Sequence, residues 1–236
     1  MGTRLYSGWD KRTSDDQREI EPCRKYIFVC EGVNTEVYYF KKLIDLRKEL
    51  GIHPLIDITV LDRTDEDRSN SYPKQLFEYA RQCKADEHRF DKDYDDKIIV
   101  VFDADIFEFR SDQYGDIVKK GEEESFVLGV TNPCFEIFLL LYFENSYKEL
   151  IEPDLTEFLK PENLKSKGLA YRKLFEKTKI NSKTNEKIGD LAEYVKIAIE
   201  EEKFLNQDIH CCKGNITSNI GKIIEAILSE KVEQNG

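Results

Sequence analysis

The feature that most restricts this chain is a pair of short apolar runs, Tyr26 to Cys30 (YIFVC) and Ile98 to Val101 (IIVV), each followed closely by a carboxylate. A half-buried strand alternates apolar and polar residues, whereas an unbroken run belongs to a strand covered on both faces. Strands of that kind pair in parallel, and parallel neighbours need crossover helices between them. The helices are expected at Glu36 to Leu50, capped by Asn34 or Thr35 and closed by Gly51, and at Tyr72 to Cys83. A further strand is read at Leu55 to Leu61, before an Asp-rich loop at 62–70, and another at Phe126 to Val130. Asn132-Pro133 reads as an N-cap followed by proline at the first helical position. This β-α alternation predicts an α/β fold, a parallel sheet with helices on both faces.

After Pro153 the pattern is helical only, with segments near 155–160, 168–178, 189–204 and 219–231. The last is the clearest, since Ile220, Ile223, Ile224, Ile227 and Leu228 follow the i, i+3, i+4, i+7, i+8 template. The organisation expected is therefore a polar segment ordered only in part (1–24), an α/β domain (25–150) and an all-helical C-terminal region packed on it (151–236).

The chemistry gathers at the strand ends. Asp103 and Asp105 lie two residues apart, so an extended backbone turns both side chains the same way. Two such anions raise each other's pKa unless a cation sits between them. Oxygen ligands at the carboxyl end of a parallel strand suit Mg²⁺, or Mn²⁺. Glu31 directly follows the first strand, and Glu136 is the only charged residue between Phe126 and Phe143. A carboxylate in that apolar setting costs several kcal/mol to desolvate unless it is paired or metal-bound, and a helix N-terminus returns only about 0.3–1 kcal/mol. Singly, each has a plainer reading: a solvated Asp-x-Asp turn, or a Glu on the wet side of a helix. What favours a site is that ligands of open parallel sheets gather at the carboxyl ends of the strands, where Glu31, Asp103, Asp105 and Glu136 should meet.

Charge sets a second constraint. The 236 residues carry a formal charge of −11, which argues against bulk, nonspecific nucleic-acid binding. Yet Lys160 to Lys187 holds nine Lys or Arg against three Glu, a local +6 that leaves −17 elsewhere. Such a segment is either a solvated helix face or the surface that tracks phosphates, with Lys167, Arg172 and Lys173 as candidate cations and Tyr171 placed to stack on a base. Six cysteines (23, 30, 83, 134, 211, 212) show no CxxC spacing, as in a reducing cytosol. His210-Cys211-Cys212 makes a poor zinc site, because adjacent residues supply tetrahedral ligands badly. A polar N-terminus without a signal peptide, and an apolar stretch interrupted by Asn132-Pro133 and Glu136, lead to the expectation of a cytoplasmic protein with no membrane span.

Four blocks together resemble a known family: VCEGVNTEVYYF (29–40), VVFDADIFEF (100–109), VTNPCFEIFLLLYFE (130–144) and GNITSNIGKIIEAI (214–227). A strand followed by Glu-Gly, and later a strand followed by Asp-x-Asp, look like the Toprim domain of topoisomerases, primases and OLD-type nucleases. The combination is similar to RloB, a small Toprim-containing family associated with bacterial anti-phage defence, from about Tyr26 to Leu228. The resemblance implies a Toprim-like metal-binding domain over 25–150 and a Mg²⁺-dependent phosphodiesterase, a toxin-like nuclease encoded in some systems beside an AAA-type ATPase partner. By motif, Glu31 would be general base or metal ligand, and Asp103 and Asp105 metal ligands. Glu136 would be a further ligand or orienting group, with Glu36 and Asn132 in support and Asn215 and Asn219 on the substrate. The chain departs from the family pattern at Val33-Asn34, where a Lys is usual, at Ala104 in place of Arg, and at Gly221 in place of His.

The expected activity is thus metal-assisted hydrolysis of nucleic acid, RNA such as tRNA favoured over DNA. The alternative is a module that binds a nucleotide or RNA without cutting it and works with the ATPase. A response-type α/β domain is a third reading, opposed by the helical C-terminal third. Topoisomerase and primase machinery exceed this length. The oligomeric state is left open, a homo-oligomer included.

Overall fold

In the computed structural model, residues 4–7, 24–62, 73–105, 111–164 and 167–230 are described. Four parallel strands form the centre: β2 (Arg24–Cys30), β3 (Ile56–Asp62), β4 (Lys97–Asp103) and β5 (Val127–Asn132). The six-stranded order is β1-β3-β2-β4-β5-β6, with β1 (Arg4–Ser7) and β6 (Thr217–Ser218) closing the two edges antiparallel. The mixed, mostly parallel α/β sheet matches the expectation from the unbroken apolar runs. Neither edge strand is legible in the sequence, β1 because four residues in a polar segment carry no period, β6 because two residues cannot show one.

Each buried strand feeds two cores by alternation. Tyr26, Phe28 and Cys30 of β2, with Ile99 and Val101 of β4, enter one hydrophobic cluster. Ile27 and Val29, with Ile98, Val100 and Phe102, enter the other. The first cluster is covered by α1 (Thr35–Asp45), α4 (Glu136–Leu140) and the C-terminal helices α6 (Leu169–Thr178), α7 (Val195–Glu202) and α8 (Ile220–Leu228). The second is covered by α2 (Pro73–Ala85) and α3 (Ser111–Glu123). Between α4 and α6 lies the short α5 (Leu155–Phe158), and a nine-residue 3₁₀ helix, Glu186–Tyr194, precedes α7.

Two expectations change here. The region after Pro153 is not all-helical, because β6 returns to the sheet and pairs with Thr131 and Asn132. Its helices also share one apolar cluster with β2 and α1, from Tyr26 to Ile227. The second change is at Asn132-Pro133, a cis peptide rather than an N-cap and helix start. Helix α4 begins at Glu136 behind Phe135, and Asn132 instead donates its amide to the carbonyls of Cys212 (3.1 Å) and Asn215 (2.9 Å). These two bonds hold the Asn132 side chain against the turn before β6 and away from the helix.

The strand order fixes where a site can form. From β2 the chain steps to β3 on one side, then crosses back past β2 to β4 on the other. The carboxyl ends of β2 and β4 therefore flank the topological switch point, where crossover helices diverge and leave a crevice. Glu31 and Asp103 stand at those ends.

Candidate active site

The two strand ends are joined directly. Glu31 N–H continues the ladder to the Val101 carbonyl (2.8 Å), and its carboxylate Oε2 accepts the Asp103 N–H (3.0 Å). One carboxylate thus replaces the next strand residue, which brings Glu31 and Asp103 together as expected. Across the sheet Asp103 is in register with Thr131 of β5, whose hydroxyl donates to Asp103 Oδ1 (2.5 Å). Ala104 turns into the opposite core and Asp105 follows at the sheet edge, half-buried.

Glu36 comes to the same place from α1. It lies in the first helical turn, where an anion is favoured, and its carboxyl group packs over Gly32. A Cβ added at Gly32 would collide with Glu36 Oε2, so the glycine of the Glu-Gly pair is needed for space. Glu31, Glu36, Asp103 and Asp105 line one pocket of about 400 Å³ together with Gly32, Val33, Asn34, Thr35, Pro133, Cys134, Glu136, Asn163, Leu164 and Lys183. Burial, followed by the charges of Glu36, Glu31 and Asp105, pushes the Asp103 carboxyl well above the usual carboxylate range, against the pull of Thr131. Burial also raises the Cys134 thiol, helped by Glu136 and Asp103, so it is no nucleophile at neutral pH.

Glu136, expected as a further ligand or an orienting group, lines the same pocket and is paired within the protein. It is 1% exposed, and its Oε1 takes the Lys183 ammonium (2.6 Å) and the Ser182 hydroxyl (2.8 Å). A protein cation answers its burial. Lys183 sits on a loop within the basic segment Lys160 to Lys187, where the sequence does not single it out, and the loop is tied to the pocket rim by Asn34 and Thr35. Asn34 Nδ2 donates to the Lys183 carbonyl (2.7 Å) and Thr35 Oγ1 to that of Ser182 (2.9 Å). Asn34, at the N-cap position of α1, therefore caps the neighbouring loop and not its own helix.

Other expected site residues lie elsewhere. Lys173 pairs with Asp154 (2.6 Å) and lies over the Phe158 ring, committed to the packing of α6 on α5. Arg172 reaches Asn163 Oδ1 (2.9 Å) and the Lys167 carbonyl, which puts it beside the pocket lining but outside it. Lys167 is exposed. Asn219 replaces a strand partner along β5, accepting from Val130 N–H (2.7 Å) and donating to the Leu128 carbonyl (2.8 Å). Asn215 ties its own turn through the Cys211 carbonyl (2.8 Å). The Asn219 amide thus holds the start of α8 to the sheet, and neither residue lines the pocket.

The donor set fits Mg²⁺ or Mn²⁺ in kind, being all carboxylate oxygen at a strand edge. Among the described residues, no three His, Cys, Asp or Glu side chains are already arranged to grip an ion. Glu31 Oε2 and Asp103 Oδ1 each accept a hydrogen bond from the protein, and each carboxylate has a second oxygen to offer an ion. No helix among the described residues is long and apolar enough to cross a membrane.

Among protein-family models, the one described as "RloB-like protein" matches residues 26–227. No curated protein and no solved structure matches the chain.

Proposed function

The chain belongs to the RloB-like protein family, and from its pocket we propose that it hydrolyses phosphodiester bonds of nucleic acid with Mg²⁺, RNA such as tRNA favoured over DNA. The observation that carries this reading is the convergence of Glu31, Glu36, Asp103 and Asp105 at the switch point of the sheet. Burial and the charges of Glu36, Glu31 and Asp105 hold the Asp103 carboxyl well above its usual range, a repulsion that a divalent cation would relieve. Glu31, Asp103 and Asp105 would hold the ion, which when bound supplies charge to a phosphate oxygen and activates water. Thr131 orients Asp103, and Gly32 keeps Glu36 over the pocket as the fourth carboxylate. In this reading the sheet is Toprim-like, and the protein is the toxin-like effector of an anti-phage system, working with an AAA-type ATPase partner in the cytoplasm.

The test is a Mg²⁺ titration of the purified protein on tRNA, single-stranded RNA and DNA, with products resolved on gels. Cleavage should appear with Mg²⁺, vanish with EDTA, and fall by about 10²–10³-fold in Asp103→Asn and Glu31→Gln. A non-cleaving nucleotide- or RNA-binding module is the second reading, favoured by the absence of a ready three-ligand cluster among the described residues. Binding of tRNA without Mg²⁺-dependent products would decide for it.

A further inference from the structure

We infer that Lys183 is the phosphate-binding residue of this pocket, held there by Glu136, and that its ligand is a phosphate group of a nucleotide. The inference rests on the nucleic-acid reading for the kind of substrate, though not on cleavage. A phosphate entering the pocket meets Glu31, Glu36, Asp103 and Asp105, and among the described residues that line it the one cation is Lys183. The ion pair is asymmetric: Glu136 is fully buried, while the Lys183 side chain is 35% exposed. The carboxylate is thus the anchor, and the Lys183 side chain, which lines the pocket, is the partner open to it. An ammonium has three donors, and Glu136 Oε1 accepts one.

The loop is built to hold this position. Lys183 N–H donates to Asn181 Oδ1 (3.0 Å), its carbonyl accepts from Asn34, and the Ser182 carbonyl accepts from Thr35. Asn34 and Thr35 themselves line the pocket, so the wall that carries the carboxylates also fixes the loop that carries the cation. Burial works against the Lys183 charge, but Glu136 and then Glu36 outweigh it and keep the ammonium protonated. If the pair existed only to stabilise the fold, an apolar pair of similar size would serve as well, because buried ion pairs are often neutral or worse for stability.

The experiment uses the full chain and thymidine 3′,5′-bisphosphate as probe, with calorimetric titration in EDTA and again in Ca²⁺. Glu136→Gln combined with Lys183→Met removes both charges together and leaves no buried charge unpaired. It should melt close to the wild type and bind the probe about tenfold or more weakly, the loss expected for one charged hydrogen bond. Lys183→Arg, which keeps the charge, should recover most of that binding. Independently of any variant, the probe should protect Lys183 of the wild type from reductive methylation, read by mass spectrometry. Wild-type affinity in the folded double variant, no recovery in Lys183→Arg, or an unprotected Lys183 would each overturn the inference. Lys183-dependent binding by a protein that cleaves no nucleic acid would uphold it while defeating the nuclease reading.

Discussion

Asp103 shows how far one residue can be read before the chain is folded. That it ends a buried strand beside a second Asp is visible in the sequence; that Glu31 accepts its N–H and Glu36 adds a fourth charge depends on two strands and a helix meeting. The raised pKa gives a signed expectation. A carboxyl whose folded pKa lies above its unfolded value contributes stability at pH below the unfolded pKa, and that contribution is lost as pH rises through the folded one. Asp103→Asn should therefore melt higher than the metal-free wild type at pH 8, with the difference shrinking toward pH 4, and Mg²⁺ should narrow it at pH 8 by stabilising only the wild type. Melts across that range in EDTA and in Mg²⁺ are the check; a difference that stays constant with pH would remove the repulsion argument. Gly32→Ala acts on the same cluster by sterics. The atoms it meets are the far end of a flexible side chain, so stability should change by less than about 1 kcal/mol while Mg²⁺-dependent cleavage falls at least about tenfold as Glu36 is displaced. Lys183 is legible only as one cation of the basic segment, because what places it is a pair of hydrogen bonds from Asn34 and Thr35, far away along the chain.

At the scale of elements, the central strands are legible because burial on both faces leaves an unbroken apolar run, and α8 because its apolar face repeats cleanly. What escapes is the seam that returns the C-terminal region to the sheet. There, Glu202 at the end of α7 is fully buried and accepts Ser218 Oγ (2.6 Å), Gly221 N–H (2.9 Å), Lys222 N–H (2.9 Å) and Gln207 Nε2 (3.1 Å). A carboxylate distant in sequence therefore supplies the cap that Asn219 does not, since the Asn219 amide is occupied on β5. Gly221 is again a matter of room, for its Cβ would come 2.8 Å from Glu202 Oε2. Capping signals are read within four residues of a helix start, so a cap donated from another helix leaves no local trace. Glu202→Gln puts an NH₂ group where backbone donors converge and should cost about 1–3 kcal/mol, seen in urea as a lower midpoint with the slope unchanged. An unaltered midpoint would mean that water caps α8 equally well.

At the scale of the whole molecule, the proposed function requires an acidic protein to meet a polyanion. With −17 outside the segment Lys160 to Lys187, approach of a nucleic acid is favourable only from the side where the +6 lies. The structure revises which residues of that segment are available. Lys173 is committed to Asp154 and Lys183 to the pocket, whereas Lys167 and Arg172 are exposed, and Arg172 is braced on Asn163 of the pocket wall. On the same helix Tyr171 and Phe175 stack with rings 6.3 Å apart and 13° from coplanar, Phe175 being 42% exposed. Of the residues that a buried α6 face would claim, Ala170 and Leu174 are in the core and Tyr171 is not. On the proposed function, this aromatic pair offers a face for bases to stack on, and the Arg172 guanidinium, held by Asn163 of the pocket lining, offers a cation for a phosphate. Lys167→Glu with Arg172→Glu should then weaken binding of single-stranded RNA and reduce the slope of log affinity against log salt by about 0.7 for each phosphate no longer neutralised. Phe175→Ala should weaken binding by about 1–3 kcal/mol without altering that slope, since stacking releases no counterions. Filter binding across a range of KCl concentrations separates the two effects, and equal affinity of both variants and the wild type at every salt concentration would mean that the strand enters from another side.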